Sequence, residues 1–167
     1  KNAGLKPDEV DERTRWAMSA VGLSEFEQTH PYDLDHGKMK LLTIASIMSL
    51  KPEVYCLDEP TTGQDHQGRR RVAELIRKLN DAGSAVIVIT HDMRFVAEVA
   101  KRIVLVAGGR IVADGQTREI FEKTGILAGA QIRSPQITQL AHALGDHGVP
   151  PNLLTIKELA DCLASMI

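Results

Sequence analysis

The chain has 167 residues, 43% of them hydrophobic and 25% charged, which suffices for a domain with a hydrophobic core. The formal net charge of −2 excludes a global basic field, and an aromatic content of 4% argues against base stacking, so nucleic-acid binding is not expected. No apolar stretch reaches the roughly 18 to 20 residues of a transmembrane helix. Cys56 and Cys162 have no metal-ligand spacing and are interpreted as packing residues of a reduced cytoplasmic protein.

Hydrophobic periodicity predicts alternating helices and strands along the first two thirds of the chain. In chain order they are a helix over 8–21, a helix over 38–50, a strand over 54–57, a helix over 67–80, a strand over 85–89, a helix over 93–100, two hairpin strands over 103–106 and 110–113, and a short helix over 117–123. The strands over 54–57 and 85–89 are rich in apolar residues and are expected to be buried parallel strands. This order implies an α/β fold with a small antiparallel addition.

The last third is expected to be helical. Residues 126–133 are interpreted as a connector, followed by a helix over 135–144 and a second helix that begins at Thr155. Thr155 and Glu158 have the spacing of a capping box.

Two strands end in residues that can carry chemistry. The strand over 54–57 runs into Asp58 and Glu59, and the strand over 85–89 runs into Thr90 and His91. Because the carboxyl ends of parallel strands meet at one edge of a sheet, Glu59 and His91 are expected at the same edge. One carboxylate can hold the water shell of Mg²⁺ and the other can orient or deprotonate a water molecule. Taken alone, two surface acids and a structural histidine remain the alternative interpretation.

A tight loop lies between these features, with the sequence Pro60-Thr61-Thr62-Gly63-Gln64-Asp65. Asp65 is expected to cap the helix that follows, in addition to any functional role.

Together these segments resemble the motifs of ABC-type ATPases over roughly residues 1–123. The segment over 57–61 resembles the Walker B motif, that over 62–65 the D-loop, and that over 90–92 the H-loop. The loop Leu34-Asp35-His36-Gly37-Lys38 stands where this family carries a signature sequence that is usually Leu-Ser-Gly-Gly-Gln. The order and spacing of the four segments make the resemblance specific.

The resemblance implies roles for individual residues. It implies that Asp58 acts through Mg²⁺, Glu59 is the catalytic base, His91 contacts the γ-phosphate of ATP, and Asp65 crosses a dimer interface. The loop of Leu34, Asp35, His36, Gly37 and Lys38 would bind the γ-phosphate of ATP held by a second ATPase subunit, as a helix amino terminus favours an anion.

Four residues depart from the family pattern. Asp35 stands in place of the usual serine, His36 in place of a glycine, Lys38 in place of the glutamine, and Gln64 in place of the usual leucine of the D-loop. A carboxylate aimed at a triphosphate would repel it unless Lys38 or His36 compensates.

The phosphate-binding loop, Gly-x-x-x-x-Gly-Lys-Ser/Thr, is missing from the sequence, where Gly37-Lys38 is followed by Met39. The chain is therefore interpreted as an incomplete P-loop NTPase that hydrolyses ATP negligibly on its own. It comprises part of the helical subdomain with the signature-like loop over 1–50, a core half over 51–125, and a helical extension over 126–167.

Energy-coupling-factor importers of vitamins and cobalt look closest within the family. Their D-loops are similar to residues 61–65 of this chain, and their helical tails to residues 134–138 and 154–159. The resemblance implies ATP and Mg²⁺ as cofactors, a second ABC ATPase subunit and an integral membrane component as partners, and a place on the inner face of the cell membrane. Two alternatives remain open: a non-transport ABC protein, and a degenerate half that dimerises and regulates without turnover.

Overall fold

The computed structural model describes residues 4–166, which form two compact units that divide between Thr90 and His91. The elements of the first unit are α1 (Pro7–Ala20), α2 (His36–Met48), β1 (Val54–Asp58), α3 (His66–Asp81) and β2 (Ala85–Ile89). The elements of the second unit are α4 (Met93–Val99), β3 (Arg102–Ala107), β4 (Arg110–Gln116), α5 (Thr117–Glu122), α6 (Thr124–Gly129), α7 (Gln136–Ala143) and α8 (Ile156–Ser165). The division of the chain into 1–50, 51–125 and 126–167 assigns family parts and stays a prediction.

The sheet of the first unit consists of β1 and β2, which pair in parallel from Val54 opposite Ala85 to Asp58 opposite Ile89. Tyr55 and Leu57 are buried on one face, and α3 contacts β2. The amphipathic α3 contributes the buried side chains Val72, Ala73, Leu75, Ile76 and Leu79. The predicted parallel pair and the helix between its strands are therefore confirmed.

The other face of this sheet is uncovered in the described residues. Val54, Ile87 and Ile89 are 53%, 53% and 55% exposed, and Cys56 is exposed beside them. The prediction of strands buried on both sides, with Cys56 as a packing residue, is wrong for this face. The physical reason is that a parallel sheet needs a layer on each side, and residues 4–166 supply only one.

Helices α1 and α2 contact each other beside the sheet. Pro7 occupies the first turn of α1 with Asp8 and Glu9, as the sequence predicts. Helix α2 begins at His36, two residues earlier than predicted, since Asp35 provides its amino-terminal cap.

In the second unit β3 and β4 form the predicted antiparallel hairpin, with Gly108 and Gly109 at its turn. Its core joins the hairpin to the residues that follow: Leu105, Ile120, Phe121, Leu127 and Leu154 are buried together. Leu127 belongs to α6, so the predicted connector over 126–133 is wrong in part. Burial of Leu127 stabilises a six-residue helix that would be marginal alone.

The tail contains the two predicted helices, α7 and α8, which contact each other. A second cluster of Ala141, Val149 and Leu159 is buried there, with the partly buried Cys162 packed against it. Thr155 and Glu158 form the predicted capping box. No helix within residues 4–166 is both long enough and apolar enough to cross a bilayer.

A bidentate ion pair holds the start of α8 to α5. Arg118 donates to both carboxylate oxygens of Glu158, with Nη2 to Oε1 at 2.6 Å and Nη1 to Oε2 at 3.3 Å. Arg118 also donates to the carbonyl of Asn152, and Glu158 accepts from the backbone of Leu154. The hydrogen bond from Arg118, followed by that from the Leu154 backbone, lowers the pKa of Glu158 despite its partial burial.

This ion pair predicts a pH-dependent contribution to stability. Since the pKa of Glu158 is lowered on folding, the stabilisation is present above the usual glutamate value of 4.5 and is lost as pH falls through the lowered folded value. The side chains are 48% and 31% exposed, so we expect Glu158→Gln to cost about 1 kcal/mol or less at pH 7. Denaturant titrations at pH 7 and pH 3.5 should show a difference between variant and wild type that shrinks at the lower pH. A difference that grows as pH falls would contradict the Arg118–Glu158 ion pair as the source of this stabilisation.

Candidate functional site

The site lies at the carboxyl edge of the β1–β2 sheet. Strand β1 ends at Asp58, and the backbone N–H of Glu59 donates to the carbonyl of Ile89 at 2.8 Å. This bond extends the parallel pairing one residue beyond the strand. Asp58 and Glu59 thereby leave the sheet where β2 ends, the edge at which ligands bind in open α/β sheets.

Two threonine hydroxyls hold the carboxylate of Glu59. Thr62 Oγ1 lies 3.2 Å from Glu59 Oε2, and Thr90 Oγ1 lies 3.1 Å from the same oxygen. Thr62 belongs to the loop after β1, whereas Thr90 follows β2. Hydroxyls from two chain segments therefore fix the orientation of one carboxylate. A general base needs such a fixed orientation, because it must lie within hydrogen-bond distance of the water molecule that it deprotonates.

The backbone of Glu59 has an unusual conformation. Its φ of 44° lies in the left-handed region that favours glycine. Such a conformation costs about 1–3 kcal/mol and persists only when the surroundings enforce it. Here Ile89 accepts from its N–H, and the ammonium group of Lys40 on α2 donates to its carbonyl. Non-glycine residues in this conformation cluster at functional sites, although Lys51 and Gln131, which have no role in this site, also have a positive φ.

Asp58 is exposed at the end of β1. Among residues 4–166, no three His, Cys, Asp or Glu side chains come together in a way that could enclose a metal ion. Mg²⁺ commonly binds through one or two carboxylates and completes its shell with water and substrate phosphates. A single exposed carboxylate at the sheet edge fits this mode of binding, so Asp58 is a suitable Mg²⁺ ligand or partner of its water shell.

The loop between β1 and α3 is folded back on itself. Gly63 has a φ of 76°, and Thr61 is buried. Asp65 Oδ1 accepts a hydrogen bond from the backbone of Gly68 at 2.7 Å, so the predicted cap of α3 is confirmed. The implied role of Asp65 at a dimer interface stays a prediction.

The signature-like loop runs from Leu34 into the first turn of α2. Asp35 Oδ1 accepts from the backbone N–H of Lys38 at 2.8 Å, and the Lys38 ammonium pairs with the other oxygen of Asp35. The hydrogen bond from the Lys38 side chain, followed by that from its backbone, lowers the pKa of Asp35. Asp35 thus occupies the capping position as a serine would, and Lys38 offsets its charge. Ligand binding by Leu34, Asp35, His36, Gly37 and Lys38 stays a prediction.

His91 is the first residue of the second compact unit, so its expected approach to Glu59 also stays a prediction. The preceding Thr90 does reach Glu59 at the sheet edge. The following Asp92 caps α4, with Oδ1 accepting from the backbone of Phe95 at 3.1 Å.

Sequence reasoning assigned no role to Thr62, Thr90, Lys40 or the amide of Gln64, all of which the structure brings to this region. Thr62 and Thr90 lie inside the D-loop-like and H-loop-like segments, so proximity to the motifs could have indicated them. Lys40 could not be found in this way, because its partner is a backbone carbonyl 19 residues along the chain.

Comparison with known proteins places this geometry in context. Residues 1–62 match the family model described as ABC transporter. The energy-coupling factor transporter ATP-binding protein EcfA1 of Caldanaerobacter subterraneus is 38% identical over 164 residues, covering 96% of this chain and 59% of the relative. EcfA2 of Streptococcus pyogenes is 35% identical over 167 residues, covering 98% of this chain and 59% of the relative.

A solved structure agrees with these relatives. The structure of cbiO1 from Clostridium perfringens, described as part of the ABC transporter complex cbiONQ, is 27% identical. It superimposes with a TM-score of 0.65 over 83% of this chain and 55% of that one. The chain therefore spans about three fifths of the length of these relatives. The resemblance to ATP-binding proteins of energy-coupling-factor transporters is confirmed, as is the α/β fold of part of an ABC ATPase domain.

Proposed function

We propose that this chain, similar in sequence and fold to the ATP-binding proteins of energy-coupling-factor transporters, supplies the hydrolytic half of a transport ATPase. The observation that carries the proposal is the Glu59 carboxylate, fixed at the sheet edge by Thr62 and Thr90 while its backbone is held in a strained conformation. A surface acid without a function needs none of these constraints. The motifs on either side of Glu59 match those of ATPases that couple hydrolysis to solute import.

Each motif residue has a defined task in this mechanism. Glu59 accepts a proton from, or orients, the water that attacks the γ-phosphate. Asp58 holds the water shell of Mg²⁺, which when bound neutralises charge on the phosphates. His91 donates a hydrogen bond to the γ-phosphate.

The first turn of α2 faces ATP bound by a second ATPase subunit. The loop from Leu34 to Lys38 offers backbone N–H groups, and Lys38 adds a positive charge that offsets Asp35. Asp65 lies at the contact with that subunit while it caps α3.

A further segment, in the same gene product or in a second chain, supplies the phosphate-binding loop. The 167 residues do not contain that motif, and one face of the β1–β2 sheet exposes Val54, Ile87 and Ile89. An open cavity of about 250 Å³ lies on this side and is lined by residues of α2 and β1, including Cys56 and Asp58. An added layer of helix or strand would cover both features. Without that layer the chain lacks the amides and lysine that grip the phosphates and hydrolyses ATP negligibly.

The partners are a second ABC ATPase subunit and an integral membrane component on the inner face of the membrane. The relatives support this assignment, since they are named as transporter ATP-binding proteins and one solved neighbour is described as part of the cbiONQ complex. The altered signature residues favour a second candidate, a degenerate half that dimerises without turnover. Dimerisation without hydrolysis, in a protein with an intact phosphate-binding loop, would identify that case.

A test of the metal role uses Asp58→Asn in the ATPase that contains this chain and its phosphate-binding loop. Loss of one carboxylate charge should raise the Mg²⁺ concentration for half-maximal hydrolysis roughly 10- to 100-fold, the range for removing an outer-shell partner of a metal. Phosphate release at fixed ATP and varied Mg²⁺ measures it. Asp81→Asn, at the far end of α3, is the matched control and should leave the Mg²⁺ dependence unchanged. An unaltered Mg²⁺ dependence in Asp58→Asn would refute the assignment of Asp58.

A further inference from the structure

The residues that depart from the family pattern lie in two loops that contact each other. Gln64, in place of the usual D-loop leucine, donates from Nε2 to the carbonyl of Gly37 at 3.0 Å, across 27 residues of sequence. Gly37 lies in the signature-like loop, between His36 and Lys38. The contact is partly buried and joins the first turn of α2 to the loop before α3.

Gly68 leaves room for the Gln64 amide. A Cβ atom added to Gly68 would lie 2.1 Å from Gln64 Oε1, whereas one added to Gly37 would lie 3.5 Å from the same oxygen, an ordinary van der Waals distance. Any side chain at position 68 would therefore occupy the place of the Gln64 amide. This packing explains why Gly68, which is buried in the first turn of α3, is a glycine.

His36 of the signature-like loop also packs against the D-loop-like segment. A Cβ atom on Gly63 would lie 2.7 Å from Cδ2 of the His36 ring, so the imidazole lies directly against the D-loop-like backbone. His36 of the signature-like loop thus contacts Gly63, and Gln64 of the D-loop-like segment contacts Gly37. Both residues are departures from the family pattern, and each contacts the loop that carries the other.

We propose that Gln64 is a positioning residue that fixes the signature-like loop to the D-loop-like loop. Asp35, His36, Lys38 and Gln64 then act as one set, because Lys38 pairs with Asp35, His36 packs against Gly63 and Gln64 donates to Gly37. The inference rests on the proposed function, because both loops face the second subunit in that mechanism. Gln64 touches no substrate and acts by holding Gly37, and with it the orientation of the first peptide groups of α2. Small displacements of groups that bind a reacting phosphate can reduce turnover by about 100-fold.

The test measures hydrolysis by the ATPase that contains this chain and its phosphate-binding loop. Gln64→Leu restores the residue usual in the family but removes the donor to Gly37, and we expect it to lower kcat about tenfold or more with a smaller change in KM. Gly68→Ala, which displaces the Gln64 amide without altering Gln64, should have the same effect. Gln67→Leu makes the same substitution at an exposed position of α3 and should leave kcat within about twofold of wild type.

Rescue distinguishes a positioning role from a general loss of stability. Adding Asp35→Ser, His36→Gly and Lys38→Gln to Gln64→Leu rebuilds the usual family pair of loops, and kcat should recover to within about threefold of wild type. Placed in the wild-type Gln64 background, the same three changes should lower kcat. Full activity in Gln64→Leu, or losses that simply add in the combined variant, would overturn the proposal.

A second readout is independent of turnover. Amide hydrogen exchange at Lys38 and Met39, whose N–H groups donate to Asp35, should be about tenfold faster or more in Gln64→Leu and unchanged in Gln67→Leu. Unchanged exchange in Gln64→Leu overturns the proposal even if the wild-type protein lacks hydrolysis. Absence of hydrolysis in the wild type, with faster exchange in Gln64→Leu, refutes the proposed function and keeps the link between the loops.

Discussion

Glu59→Gln in the ATPase that contains this chain and its phosphate-binding loop is expected to lower kcat by about 10² to 10⁴, the usual contribution of a positioned general base. The amide keeps the size of the side chain and can still accept hydrogen bonds from Thr62 and Thr90 through its oxygen. It cannot accept a proton from water. The site geometry therefore survives while proton transfer is removed, and ATP binding should change little.

Steady-state phosphate release and a separate equilibrium binding assay with ATP measure these two effects. Glu53→Gln makes the same change just before β1, at the opposite end of the strand, and should leave both quantities unchanged. The assignment of Glu59 as the base is wrong if Glu59→Gln keeps more than half of the activity. Equal loss of binding and turnover would instead indicate a structural role.

Phe121→Ala is expected to reduce the free energy of unfolding of the second unit by about 3–5 kcal/mol. Phe121 is fully buried and lies in the cluster that joins Leu105 of the hairpin to Leu127 and Leu154. The substitution removes a whole aromatic ring from the point where α5, α6 and the hairpin meet. Because small domains are stable by only about 5–15 kcal/mol, the unit should be close to unfolding.

Denaturant titration, monitored by circular dichroism, measures this loss. Ile111→Ala, on the exposed face of β4 where Ile111 is 66% exposed, is the control and should cost less than about 1 kcal/mol. Similar losses in the two variants would contradict the packing of residues 124–129 and 154 onto the hairpin.

Local sequence signals predicted most of the elements and the position of the site. A short apolar run placed β1, a run of β-branched residues placed β2, and short-range caps placed Asp65 and Thr155. These features depend on residues only a few positions apart. The acids at the end of β1 could be located in the same way. What such signals cannot supply is the distance between segments far apart in sequence.

Three of the features missed depend on long-range packing. The contact from Gln64 to Gly37, the reach of Lys40 to Glu59 and the burial of Leu127 each join separate segments. The exposure of Ile87 was missed for the opposite reason. Its apolar character predicts burial, but the layer that would bury it is not provided by residues 4–166.

In the proposed function, this chain supplies the acid for hydrolysis and another segment supplies the phosphate-binding loop. The most direct measurement is phosphate release by the purified chain alone and by the protein that combines it with that loop, each with and without Glu59→Gln. We expect turnover only in the combined protein, and its loss in the Glu59→Gln variant. Turnover by the chain alone that disappears in Glu59→Gln would contradict the account, as would a combined protein whose hydrolysis does not depend on Glu59.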